Sequence, residues 1–134
     1  MIIDSMDGNQ RPVLRLHLWL ETQRGIFFGL GRLKLLEHIQ AGKSLSGAAK
    51  AMGMSYRAAW GKIRSTEEVL GFALIAKKAG NKAGYQITEE GVALVACFKR
   101  WFQEVEEYAL SRAKVLLPCD PIAFREALPA RKPV

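Results

Sequence analysis

Between Pro12 and Glu21 the chain alternates strictly. Leu14, Leu16, Leu18 and Leu20 fall on one side, and Arg15, His17, Trp19 and Glu21 on the other. A period of two over that length predicts a half-buried strand, with His17 solvated and Trp19 covering a neighbouring element. The period then lengthens. In "GRLKLLEHIQAG", Leu33, Leu36 and Ile39 or Gln40 recur at helical spacing, with His38 on the polar side and Gly42 as the stop. Two short helical pieces follow, "SLSGAAKAM" and "SYRAAWGKIR". Ser44 and Ser55 are their N-caps. The first ends at Gly53, and the second runs through Ile63 toward Val69.

Downstream, "FALIAKKAGNKAGYQITEEG" reads as strand, turn, strand, with Tyr85 and Ile87 resuming the alternation after the "AGNKAG" turn. Thr88 caps a long helix in which Val92, Val95, Phe98, Phe102, Val105 and Ala109 recur every three or four residues. Gly91 is an early weak point in it. From residue 117 the pattern stops, and "PCDP…LPARKPV" holds four of the chain's five prolines. An extended or disordered tail is expected there.

The predicted fold is mainly α with a small β component. It is a winged helix-turn-helix with a leading strand, a β-hairpin wing and a long C-terminal dimerisation helix. The expected organisation is a disordered N-terminus over 1–11, the winged domain over 12–88, the long helix over 89–116 and a Pro-rich tail over 117–134.

The alanines of the tight helical pair fit this reading. Helices that cross steeply through a short turn need small inner faces, which Ala48 and Ala49 supply. The turn itself needs left-handed backbone, and Gly53, four positions past Ala49, tolerates it. Met54 plugs the junction, while Ala59 and Ile63 face the core. The other side of the second helix carries Ser55, Tyr56, Arg57, Ala58, Gly61, Lys62 and Arg64, and no acid. Hydroxyls, free amides and cations at a helix start suit entry into the major groove, with Arg57 able to reach base edges. The hairpin adds Lys77, Lys78 and Lys82, with Asn81 beside Lys82 at its tip, as a wing for backbone or minor groove. A formal net charge of +7 and a pI of about 9.7 favour an anionic partner.

Little points to other chemistry. Cys97 and Cys119 stand 22 residues apart without a CxxC, and His17 and His38 are distant, so no metal site is expected. Cys97 reads as a buried thiol. Adjacent glutamates such as Glu89 and Glu90, or Glu106 and Glu107, point in different directions on a helix. No catalytic residue, cofactor or enzyme activity is expected. With no 18-residue apolar span and no signal-like start, the reading is cytoplasmic, with no membrane partner.

The run "LSGAAKAMGMSYRAAWGKIRSTEEVLG", with "LIAKKAGNKAG" and "ITEEG", resembles the N-terminal DNA-binding domain of ModE-type molybdate-responsive transcriptional regulators, relatives of the LysR type. "SYRAAW", residues 55–60, is the most specific element, and the likeness spans about residues 12–115. The resemblance implies that Ser55, Tyr56, Arg57 and Lys62 lie in a recognition helix, that Trp60 packs, and that the chain dimerises through the long helix and the leading strand region. The wing here has fewer glycines than the family's. The tail after residue 116 is too short for a molybdate-binding barrel, so the expected protein is a regulator without its own molybdate-sensing domain.

Phe98, Trp101, Phe102, Val105 and Tyr108 form the expected dimer contact, since burying such side chains stabilises by roughly 1.5–3 kcal/mol each. The expected partners are double-stranded DNA bearing an inverted-repeat operator and a second copy of the chain. The alternative reading is a winged-helix protein-interaction module or co-regulator without sequence-specific DNA binding.

Overall fold

The short elements of this chain are set by their caps. The computed structural model describes residues 11–80 and 83–127. In chain order they form β1 (Val13–Leu14), β2 (Trp19–Thr22), β3 (Gly25–Gly29), α1 (Leu30–Gln40), α2 (Leu45–Ala51), α3 (Tyr56–Leu70), β4 (Ile75–Lys77), β5 (Tyr85–Ile87), α4 (Glu89–Leu116), β6 (Ile122–Ala123) and α5 (Phe124–Ala127). The described residues divide into two packed units, one within 18–99 and one of 11–17 with 100–127.

In the Leu18–Lys99 unit, α1, α2 and α3 make the helical layer and two antiparallel hairpins, β2–β3 and β4–β5, flank it. Ser44 Oγ accepts the Gly47 amide at 2.9 Å and Ser55 Oγ accepts the Ala58 amide at 3.1 Å, so both predicted N-caps are made. Between them α2 closes with a paired turn. The Gly53 amide donates to the Lys50 carbonyl and the Met54 amide to the Ala49 carbonyl, both near 3 Å. Gly53 sits at φ +68°, in the left-handed region that the turn requires. Ala48, Ala49 and Ala59 are fully buried, so α2 and α3 meet almost backbone to backbone. Leu35, Leu36, Leu45, Ile63 and Leu74 fill the surrounding core. Phe28 of β3 meets Phe98 of α4 edge to face, centroids 5.1 Å apart, a contact worth roughly 0.5–1.5 kcal/mol beyond burial.

The start of α4 is pinned to the wing. Thr88 Oγ accepts the Gly91 amide at 3.0 Å and donates to the Ala73 carbonyl at 2.7 Å, while the Thr88 amide reaches the Leu74 carbonyl at 2.9 Å. Gly91 is therefore no weak point. A Cβ there would stand 2.6 Å from both the Leu74 carbonyl oxygen and Ile87 Cγ1, so only glycine lets the helix lie this close to the hairpin.

The other unit joins the two ends of the described chain. β1 and β6 pair in parallel, Val13 opposite Ile122 and Leu14 opposite Ala123. Arg11 holds Asp120 through its side chain and its carbonyl at 3.2 and 3.3 Å, and Lys114 approaches the same carboxylate at 3.6 Å. The Arg15 guanidinium lies 3.9 Å above the Phe124 ring. Glu106 is buried, with Arg125 3.7 Å away.

Four expectations are corrected. The alternating run is not one strand: it breaks at 15–18, and every residue of β2 is exposed, Trp19 included, its indole N–H bonded to Glu21 at 2.7 Å. A register shift between Leu20 and Glu21 accompanies that loss of alternation. The unforeseen partner is β3. Residues 122–127 are β6 and α5 rather than an extended tail, because the Ala123 side chain finds complete burial. Cys97 is exposed, on the outer side of α4. Phe98 leaves the dimerisation set, since its ring is buried against Phe28 within its own unit.

Gly91→Ala should lower stability by about 1–3 kcal/mol despite alanine's better helix propensity, because the added methyl meets a backbone carbonyl that cannot swing aside. Urea unfolding of the two proteins checks this.

Candidate nucleic-acid interface

Two cues in the sequence decide what α3 presents. Its core stripe, Ala59, Ile63 and Thr66, is buried, and the first turn bears no acid. On the open side, Ser55, Tyr56, Arg57, Ala58 and Gly61 are all exposed and Lys62 is half-buried. The Ser55 cap uses the Ala58 amide, leaving the amides of Tyr56 and Arg57 ahead of it at the helix tip. No ion pair engages Arg57 or Lys62 among the described residues. The helix thus offers a cationic, hydroxyl-bearing tip of low relief.

Arg64 is different. Its Nη1 lies 2.8 Å from Glu67 Oε1, and its guanidinium carbon is 4.2 Å from the centroid of the Trp60 ring. Expected on the groove side of α3, it is paired on its own helix, with about half its side chain open to solvent. Trp60 in turn tilts against Tyr85 of β5, centroids 5.2 Å apart, which agrees with its reading as a packing residue.

The back of α3 carries contacts that periodicity did not suggest. Thr66 Oγ donates to the Phe27 carbonyl of β3. Arg32 of α1 donates to the Lys62 carbonyl and to Ser65 Oγ, both at 3.2 Å. Burial lowers the Arg32 pKa from the ordinary arginine value, while these two acceptors partly compensate the lost water. Glu67, also buried, accepts the Leu74 amide at 2.7 Å and the Ile75 amide at 3.4 Å through Oε2. A usable signal was present: Thr66 and Glu67 continue the Ala59–Ile63 stripe, where a polar residue needs a buried partner.

On the wing, Lys77 is exposed and Lys78 half-buried, and the Lys78 amide bonds the Gly84 carbonyl at 3.0 Å across the hairpin. Asn81 and Lys82, the expected tip, lie outside the described residues. His38 is half-buried, with Nδ1 3.1 Å from Lys43 Nζ, and His17 is exposed. Among the described residues no group of three or more His, Cys, Asp or Glu side chains is placed to hold a metal ion. No helix among them is long and apolar enough to cross a membrane. A groove of about 510 Å³ runs between the β2–β3 turn and the C-terminal half of α3, walled by Ile26, Phe27 and Val69 with Arg24 and Glu68 also lining it.

Comparison with known proteins places this arrangement. Residues 30–92 match the family of bacterial regulatory helix-turn-helix proteins, lysR family. The chain is 33% identical over 82 residues to the molybdenum transport protein ModE of Azotobacter vinelandii, covering 60% of this chain and 30% of that protein. It is 34% identical over 67 residues to the DNA-binding transcriptional dual regulator ModE of Escherichia coli (strain K12), covering 50% and 26%. The chain thus spans less than a third of the length of either relative. The crystal structure of a CbnR_DBD–DNA complex superposes with a TM-score of 0.48 at 20% identity, over 63% of this chain and 92% of that one. Over residues 30–92 the chain is thus similar to the lysR family of bacterial regulatory helix-turn-helix proteins, and the winged helix-turn-helix domain formed there is ModE-like.

Proposed function

We propose that this protein is a dimeric, sequence-specific DNA-binding transcriptional regulator, with α3 as the recognition helix and the β4–β5 hairpin as the wing. One observation carries the reading: the open side of α3 bears exposed Arg57 at its tip and half-buried Lys62 further along, with no ion pair to an acid for either among the described residues. On a duplex, that tip enters the major groove. The Tyr56 and Arg57 amides and the Ser55 hydroxyl face phosphate, and Arg57 reaches a base edge. Ala58 and Gly61 let the helix lie close, and Lys62, Lys77, Lys78, Asn81 and Lys82 neutralise the backbone.

The second half of α4 supports a two-fold partner. Trp101, Val105, Tyr108 and Val115 recur at spacings of four, three and seven, the stripe of a helix–helix seam. Tyr108 and Val115 are each 69% exposed in the single chain. Val105 within the stripe and Phe102 beside it are half-buried. A dimer built there presents two α3 helices to successive major-groove faces about 34–36 Å apart, or a multiple of that, and so reads an inverted repeat. The names of the two ModE relatives suggest a link to molybdenum metabolism, and the predicted location is the cytoplasm.

Binding to duplex DNA should fall steeply with salt. Lys62→Ala should reduce the log–log slope by about one, whereas Arg57→Ala should cost about 1–3 kcal/mol on a selected site and less on random sequence. Gel-shift titrations at several salt concentrations read both, and salt-insensitive binding unchanged by either substitution refutes the assignment. Tyr108→Glu should shift the protein from dimer toward monomer in sedimentation equilibrium; a wild-type monomer at high micromolar concentration would refute the seam.

A further inference from the structure

The recognition helix and the wing are joined by a closed set of side chains, all within the Leu18–Lys99 unit. Trp60, Arg64 and Glu67 sit at i, i+4 and i+7 on one side of α3. Trp60 packs on Tyr85 of β5. Arg64 lies 4.2 Å from the centroid of the same Trp60 ring and pairs with Glu67 at 2.8 Å. Glu67 then accepts the amides of Leu74 and Ile75, where the chain enters β4. Both wing strands are therefore tied to the recognition helix, one through a ring and one through a carboxylate, and Arg64 is the group common to the two ties.

We propose that Arg64 is a positioning residue: clamped between Trp60 and Glu67, it fixes the wing against the recognition helix so that both meet DNA as one rigid surface, and it makes no DNA contact itself. The inference rests on the DNA-binding reading above. Charge alone does not explain the position. A lysine pairs with Glu67, but only a planar guanidinium both stacks on an indole and keeps a directed bond to a carboxylate. Glu67 is almost fully buried, so its second oxygen has no water to turn to if the wing amides move away. Losing Arg64 thus loosens the carboxylate, and the loosened carboxylate frees the start of β4.

Salt-dependent affinity for a random-sequence duplex of about 30 base pairs tests this, using wild type, Arg64→Lys, Arg64→Met, Glu67→Gln, Arg64→Met with Glu67→Gln, and Lys77→Ala with Lys78→Ala. If Arg64 positions the wing, Arg64→Lys, Arg64→Met and Glu67→Gln all lose slope toward that of the double-lysine variant, a decrease of about two. The Arg64→Met, Glu67→Gln double variant then binds within about a factor of two of either single one, because both break the same tie. If Arg64 instead touches phosphate, Arg64→Lys keeps the wild-type slope, Glu67→Gln binds as well as wild type or better, and the effects add. That pattern overturns the inference. A flat salt response in the wild type overturns the DNA-binding reading itself, and is distinct from a steep response with additive effects. Should Glu67→Gln fail to fold, the contrast between the half-exposed Arg64→Lys and Arg64→Met variants still decides the outcome.

Discussion

Nothing in this protein works unless α2 and α3 can touch almost backbone to backbone. Ala48, Ala49 and Ala59 have no side chain beyond a methyl to bury, so the helices gain little from hydrophobic area at their crossing. What they gain is proximity, and proximity fixes an angle. The paired turn at Lys50 to Met54 adds directed hydrogen bonds to that crossing. With its back held in this way, α3 keeps its N-terminal tip clear of the fold. A larger residue at any of the three alanines would open the crossing before it disturbed the surface.

Behind the tip, α3 is held by polar contacts to three other parts of the fold. Thr66 bonds β3, Arg32 bonds from α1, and Glu67 bonds the entry to β4. Each buried polar group carries a desolvation cost that is offset only when its partner is in place. Polar contacts of this kind stabilise less than aliphatic packing would, but they are far more selective about geometry. α3 is therefore oriented by directed hydrogen bonds as well as by its buried Ala59 and Ile63, which suits the recognition role proposed for it.

The helical part of this architecture was legible because its signals are local. Ser44, Ser55 and Thr88 each sit where a cap belongs, Gly53 stands where only left-handed backbone closes the turn, and each does what its position suggested. The β part was less legible. Strict alternation from Leu14 to Glu21 implied one continuous strand, but period two says nothing about where a strand breaks or finds its partner, and the partners turned out to be β3 and, some 109 residues on in sequence, β6. The exposed tip of α3 was readable from composition. The fate of Arg64 was not, since a cation beside a groove and a cation beside a buried glutamate look alike until the fold brings the glutamate round. Gly91 was misread for a similar reason: its neighbour, the Leu74 carbonyl, is seventeen residues away.

The parallel pairing of β1 with β6 ties the fortunes of both chain ends together. Each strand has two residues, and each has the other as its ladder partner, reinforced by Arg11 on Asp120 and Arg15 on Phe124. Trimming from the C-terminal side past Asp120 would leave Arg11 without its acceptors, Arg15 without the Phe124 ring and β1 without its ladder partner, so the segment around Val13 would loosen in response to a cut made more than a hundred positions away. Changes made at residues 11–15 and at residues 120–124 therefore enter the same small neighbourhood, and their effects there are not independent.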